Sequence, residues 1–239
     1  MKYFSFFNKI NYDILGDGKQ KLITDVFRKT KVSSLLIDEI TFYTIYNIMN
    51  GERPDIVSYK LYGTVDYHWT FALLNPQIVD FNVDWPLNTL ELQNLIENKY
   101  TGTALIIDDL SLASKFDIGE KIQGLISGVT ATIVSKDVNK KELRIILDNE
   151  NATFNAGELI RGLDSSDFLT ITSQRDYKNA IHHFEDVNGT YVDRFAIGAQ
   201  QITNSEYEFN RNDSKTQIKV IRPDYIGFVS QKFKEIIIS

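Results

Sequence analysis

The sequence predicts an α+β protein built from separable parts, on three observations. Asp55 to Asn75 carries helical periodicity interrupted at one glycine, Gly63. Residues 101–173 change period and break into short β-rich runs divided by Gly and Asp/Asn turns. The chain then ends on a stretch with an amphipathic helical stripe. These changes predict an arm over 1–30, a strand-helix-helix-strand domain over 31–100 and a small β-barrel or sandwich over 101–173. An extended C-terminal segment over 174–239, ending in the helix, completes the chain.

In the helical pair, Asp55 can cap the first helix through its carboxylate, and Pro54 suits an extended entry. Ile56, Val57 and Leu61 follow at helical spacing, and Gly63 stands where a left-handed stop residue is wanted. The second helix is expected from Thr64 to Leu74, with Trp69, Ala72 and Leu73 on one face. Asn75-Pro76 ends it, because the residue before proline is pushed out of the α region. Phe42, Tyr43, Ile45, Tyr46 and Ile48 mark a first strand within 32–48. Ile78–Val83 is expected to supply the closing strand, and Leu87–Asn98 a further helix.

The pattern Leu61-Tyr62-Gly63, Trp69 and Leu73-Leu74-Asn75 resembles the helical pair of a LysM module. Together with Asp84-Trp85-Pro86 it resembles the wedge-clamping baseplate subunits of T-even-type contractile-tail phages. Phe6-Phe7, Thr24-Asp25-Val26-Phe27-Arg28, Phe42-Tyr43, His182-His183 and Ile218-Lys219-Val220-Ile221 extend the likeness. The resemblance implies a LysM-like N-terminal domain and a structural role in a virion, assembled in the host cytoplasm. The partners would be other baseplate wedge proteins and neighbouring wedges. It also implies a LysM-like groove near Tyr62, Gly63, Thr64 and Asn75, where LysM modules often bind N-acetylglucosamine polymers.

The middle stretch holds runs at Ala104–Ile107, Lys121–Ile126, Thr130–Ser135, Glu142–Leu147, Leu159–Arg161 and Phe168–Thr172, the spacing of a small barrel or sandwich. It also contains an echo. Ile118-Gly119-Glu120-Lys121-Ile122-Gln123-Gly124-Leu125 parallels Ala156-Gly157-Glu158-Leu159-Ile160-Arg161-Gly162-Leu163, with Ser127 and Ser165 also in register. Two such turns predict a pseudo-symmetric barrel. Ser127-Gly128-Val129-Thr130-Ala131-Thr132 resembles a β-module of phage tail and fibre proteins.

The termini are read as partner-binding. Phe4, Phe6 and Phe7 crowd the N-terminal arm, and Phe27 and Arg28 follow the Gly16-Asp17-Gly18 turn. Residues 174–216 are polar and turn-rich, predicting an extended segment rather than a compact unit. Gln217–Ile221 reads as a strand, and Pro223-Asp224 opens the last helix. There Ile226, Val229, Phe233, Ile236 and Ile237 form the stripe, and Tyr225 and Phe228 join Val229 and Phe233 as expected contacts.

Composition narrows the chemistry. The net charge of −6 argues against a nucleic-acid or anionic-membrane partner. With no cysteine, disulfides, zinc-thiolate sites and thiol nucleophiles are excluded. No apolar run approaches the ~20 residues of a membrane span, and no signal peptide is read at the N-terminus. His182-His183 are adjacent and so point apart, and Asp164–Asp167 lacks the alternating oxygens of a calcium loop. No phosphate loop, dinucleotide fingerprint or nucleophile elbow is present. The chain is therefore expected to be non-enzymatic with no cofactor, in keeping with the structural role that the resemblance implies. The alternatives are a LysM-type peptidoglycan-binding module, against which the single copy, missing export signal and missing hydrolase argue, and a wall-degrading tail enzyme.

Overall fold

The computed structural model describes residues 7–25 and 42–238. It is 30% helical and 29% strand, so neither class alone describes it. Contacts divide the chain into a first unit, 1–89 with 212–239, and a second unit, 90–211.

The first unit opens with a hairpin, β1 (Lys9–Tyr12) paired antiparallel with β2 (Lys21–Thr24). The uncharged run Tyr43–Asn47 forms β3, and α1 (Pro54–Tyr62) follows. Pro54 takes the first helical position behind an extended Arg53, so Asp55 is not the cap. It lies in the opening turn, 3.2 Å from the Arg53 guanidinium, where a carboxylate complements the helix dipole. Gly63 closes α1 at φ +72°, its N–H donating to Tyr59 O at 2.9 Å. A 3-10 turn, Val65–Tyr67, leads into α2 (Trp69–Leu74), which buries Trp69, Phe71 and Leu74.

Residues 78–83 do not form the closing strand. Asp80 accepts the Asn82 N–H, and Asp84 accepts the N–H groups of Val79 and Asp80, each at 2.8 Å. These local bonds fold the stretch into the short helix α3 (Phe81–Asp84), with Ile78 buried in the core and Phe81 packed against it.

The helix α4 (Thr89–Lys99) carries the chain into the second unit. The strands there are β4 (Thr103–Ile106), β5 (Lys121–Gly124), β6 (Thr130–Asp137), β7 (Glu142–Leu147), β8 (Leu159–Gly162), β9 (Phe168–Thr170) and β10 (Ser173–Asp176). They form one antiparallel sheet in the order β10-β4-β7-β6-β5-β8-β9. The two edge strands are consecutive in the chain, so the sheet curls into a half-barrel. Ile171 N–H still donates to Glu158 O at 2.9 Å, whereas Thr172 N–H already donates to Ile106 O at 2.7 Å. Leu105, Leu143, Ile145, Ile160 and Leu169 fill the inside. Beyond the half-barrel, β11 (Ile181–Glu185) pairs with β12 (Gln200–Thr203), and α5 (Asn204–Asp213) follows. The region expected to be extended therefore holds a hairpin and a ten-residue helix.

The chain then returns to the first unit. Asn212 exchanges two hydrogen bonds with Leu87, at 2.7 and 3.1 Å, at the point of return. The strand β13 (Gln217–Ile221) pairs antiparallel with β3, placing Val220 opposite Thr44 and Ile218 opposite Tyr46. This is the strand that closes the helical pair. Ile218 and Val220 pack with Ile48, Val57, Phe71 and Trp85. A 3-10 turn, Pro223–Tyr225, feeds α6 (Ile226–Ile238). Val229 packs with Leu74 and Ile221, and Phe233 with Trp69 and Phe7.

Both tryptophans, Trp69 and Trp85, are buried in the first unit, so their emission reports on it alone. A chain terminated after Ser214 lacks β13 and α6. Its tryptophan emission is expected to shift to the red, as for solvent-exposed indole, while the far-ultraviolet strand signal of the second unit persists.

Candidate functional site

Asn75 makes three hydrogen bonds to backbone groups of the first unit. It is buried, and its amide lies against the outer edge of β13. Its Oδ1 accepts the Lys219 N–H at 2.8 Å, and its Nδ2 donates to Lys219 O at 2.8 Å and Phe71 O at 2.7 Å. The side chain thus takes the place of a third strand at Lys219 and ties the end of α2 to the sheet. A groove of about 260 Å³ lies beside it, lined by Ile45, Pro76, Gln77, Gln217 and Lys219 among others.

The other residues expected to form a groove are placed elsewhere. Tyr62 is largely buried against Phe71 and Tyr67, its hydroxyl donating to Ile221 O at 2.8 Å, and burial pushes its phenol up. Gly63 ends α1, and Thr64 accepts the Asp66 N–H at 3.3 Å to start the next turn. These three form the joint between the helices, and Asn75 alone lines the groove. The loop from β3 to α1 is pinned by Glu52, whose carboxylate accepts from Tyr46 Oη and Met49 N–H, each at 2.9 Å, and pairs with Lys60. Burial works against the Glu52 charge, but these donors hold its carboxyl below the ordinary value. Burial and the adjacent carboxylate push the Tyr46 phenol up to about 12.

Of the expected partner contacts, Phe4, Phe6, Phe27 and Arg28 lie outside the described residues, as do the side chains of Ile236 and Ile237. Phe7, Val229 and Phe233 are buried in the chain's own core, the Trp69 and Phe233 rings 4.4 Å apart. Tyr225 packs edge-on to Phe42 at 5.2 Å. Phe228 is left half exposed on the outer side of α6.

In the second unit the sequence echo becomes a reciprocal pair of staples. Glu120 of the first repeat accepts from Ser165 N–H and Ser165 Oγ at 2.7 Å, and from Asp164 N–H at 3.1 Å. Glu158 of the second repeat accepts from Ser127 N–H at 2.9 Å, Ser127 Oγ at 2.8 Å and Ile126 N–H at 3.1 Å. Each also holds its own turn, through Asp117 N–H and Asn155 N–H respectively. Each carboxylate therefore reaches into the turn of the other repeat, across the paired strands β5 and β8. Gly124 and Gly162 make room. A Cβ on either would fall 2.4 Å from the serine Oγ of its own turn and under 3 Å from the crossing carboxylate. Burial alone would push both carboxyls up, but the N–H and O–H donors outweigh it and hold both below 4.5.

The histidine pair sits on β11. His182 stacks on Tyr207 and His183 on Tyr191, each with ring centres 3.9 Å apart. His183 Nε2 lies 2.6 Å from Glu185 Oε1, and the adjacent histidines do not point apart as expected: where β11 shifts register their two Nδ1 atoms lie 2.7 Å apart. Burial, then the neighbouring His183, lowers the His182 value. A cavity of about 420 Å³ adjoins the pair, lined by Asp137, Lys140, Lys141, His183, Asp193 and Arg194 with apolar neighbours. Glu142, buried on β7 with Oε2 lacking a hydrogen-bond partner, is pushed up to about 7 by burial. Among the described residues, no group of three or more His, Cys, Asp and Glu side chains is arranged to hold a metal ion. The sequence signal for α5 was present as a capping box: Thr203 Oγ1 accepts the Glu206 N–H at 3.2 Å, and Glu206 Oε2 accepts the Thr203 N–H at 2.8 Å.

Asn75→Ala removes three buried hydrogen bonds to the backbone of Lys219 and Phe71 and is expected to cost about 2–4 kcal/mol, read as an earlier denaturation midpoint of tryptophan emission. For the staples, the folded carboxyls titrate below 4.5, so their stabilisation is complete above that pH. It is lost as the pH falls from 4.5 through the lower folded values. Glu158→Gln should therefore destabilise the second unit by about 1–3 kcal/mol at pH 7, with the difference from the native chain shrinking toward pH 3. Thermal unfolding followed by circular dichroism at both pH values checks this.

No protein-family model and no curated protein matches the chain.

Proposed function

We propose that this chain is a structural virion protein, a wedge subunit that clamps neighbouring components of a contractile-tail baseplate. The observation that carries the reading is the excursion between β11 and β12. Val187, Tyr191, Phe195 and Ile197 stand exposed there on a segment whose turns are held by its own carboxylates. Asp186 accepts the N–H groups of Asn188 and Thr190, and Asp193 that of Phe195. Ordered apolar side chains facing water are what a subunit built to be covered by others would present. The order strand, two helices and closing strand in the first unit supports a LysM-like framework and agrees with the family resemblance. In this reading the framework is a packing unit, and several separated patches let one chain hold more than one neighbour.

The second reading is a peptidoglycan-binding module using the groove beside Asn75. Its weakness is chemical: the amide that would meet a sugar is already bonded to Lys219 and Phe71.

The test is electron microscopy of particles from a phage whose copy of this gene carries an early stop codon. The clamp reading expects free heads and wedges that fail to close into a baseplate. Complete tails that adsorb poorly would contradict it and favour the wall-binding reading, for which sedimentation with insoluble cell wall is the direct check.

A further inference from the structure

The histidine pair sits where β11 is bulged. The pairing of β11 with β12 shifts register between Ile181 and His183, so His182 is the extra residue and its ring meets its neighbour's. A contact of 2.7 Å between two Nδ1 atoms is a hydrogen bond only when one carries a proton and the other does not. His183 is held in this pose from its far side, where its Nε2–H is donated to the Glu185 carboxylate at 2.6 Å. Two imidazolium rings so arranged would set N–H against N–H. The closed pair therefore holds at most one imidazolium.

The same rings back the excursion between β11 and β12. His183 stacks on Tyr191 of the excursion and His182 on Tyr207 of α5, with ring centres 3.9 Å apart in each. Beside the first stack, Val192 N–H donates to Phe184 O and Asp186 N–H to Thr190 O, each at 2.9 Å. The charges around the pair are already engaged. Lys99 of α4 pairs with Glu208 of α5 at 2.6 Å, and Tyr100 also donates to Glu208. At the β6–β7 turn, Lys140 pairs with Asp137 at 3.3 Å and Lys141 with Asp108. In the excursion, Arg194 donates to Asn139 O at 2.8 Å, and Asp186 and Asp193 accept N–H groups of their own turns. A second positive charge on the pair thus finds no idle carboxylate among these groups. Burial, then His183, Lys140 and Lys99, lowers the His182 value, and Glu208 opposes them only in part.

We propose that the His182–His183 pair is a proton-operated latch: closed with at most one imidazolium, it is opened by uptake of a second proton, which releases residues 186–199 from β11. The latch works whatever the excursion touches, so it does not rest on the baseplate reading. Its direction follows from linkage. In the released state both rings titrate as free histidine, near about 6.5, whereas the closed pair takes its second proton only at lower pH. The closed state keeps its full stability above about 6.5 and weakens as the pH falls below that value. Glu142, pushed up to about 7, gains a proton and stability on the same descent, so it opposes the effect rather than mimicking it.

The test is hydrogen exchange by mass spectrometry on the full chain between about pH 7.5 and 5, corrected for intrinsic rates. That window lies above the range in which the Glu120 and Glu158 staples are lost. Protection of peptides spanning 182–192 is expected to fall below about pH 6.5, by about tenfold per pH unit at its steepest, while that of Leu143–Ile145 in the half-barrel holds. Unchanged protection over 182–192, or an equal fall throughout the second unit, would overturn the proposal. His182→Phe keeps a ring on Tyr207 but cannot titrate, so the fall should vanish, and its persistence would contradict the latch. If that variant does not fold, nitrogen-15 spectra of the native imidazoles decide. One Nδ1 protonated and one bare at neutral pH supports the latch. Both bare at neutral pH, or both protonated at low pH with 182–192 still protected, overturns it.

Discussion

The first unit depends on a strand pairing across most of the chain, Tyr43–Asn47 with Gln217–Ile221. Without it, the helices α1 and α2 have one strand to cover and lose Ile218 and Val220 from their core. Asn75 makes the pairing specific. Its amide engages both backbone groups of Lys219, so β13 is bounded by β3 on one side and by a side chain from the end of α2 on the other. A strand shifted by one residue would lose both bonds and would turn Ile218 and Val220 out of the core.

That the closing strand comes from so far along the chain is thermodynamically cheap. Loop-closure entropy grows only logarithmically, so each doubling of the intervening length adds about 0.6 kcal/mol. The connection is not a loose coil, since residues 90–211 form a unit with a core of their own. The reciprocal bonds between Asn212 and Leu87 fix where the chain leaves and re-enters the first unit. The second unit is stabilised on a different principle. Two buried carboxylates, each surrounded by N–H and O–H donors rather than by a cation, lock the turns of two sequence repeats to one another. The arrangement tolerates no side chain at Gly124 or Gly162.

What was legible in the sequence was local. The stop at Gly63, the break at Asn75-Pro76, the strands of the half-barrel and the terminal helix all follow from turn chemistry and periodicity over a few residues. The echo of Gly-Glu and Ser was visible as a pattern, but its meaning was not, because each Glu bonds to the Ser of the other copy. Local pattern points to Ile78–Val83 as the closing strand for the same kind of reason. Apolar content there satisfied a strand pattern, while Asp80 and Asp84 turned the segment into a short helix, and the true partner lay far downstream. Helix α5 is polar enough to hide its period, yet Thr203 and Glu206 announced its start. Clustering of the terminal aromatics in the sequence suggests outward anchors. Phe7 and Phe233 meet Trp69 instead, which no spacing rule relates to either of them.

The most direct test of the β3–β13 pairing uses the absence of cysteine from the chain. Ile45 and Lys219 face each other across the two strands, and Lys219 turns its backbone groups to Asn75, which marks a non-hydrogen-bonded pair with closely spaced side chains. The variant with I45C and K219C should form an intramolecular disulfide on mild oxidation, seen as protected thiols in a monomer of unchanged tryptophan emission. Free thiols in the oxidised, folded monomer would mean that β13 does not close the first unit.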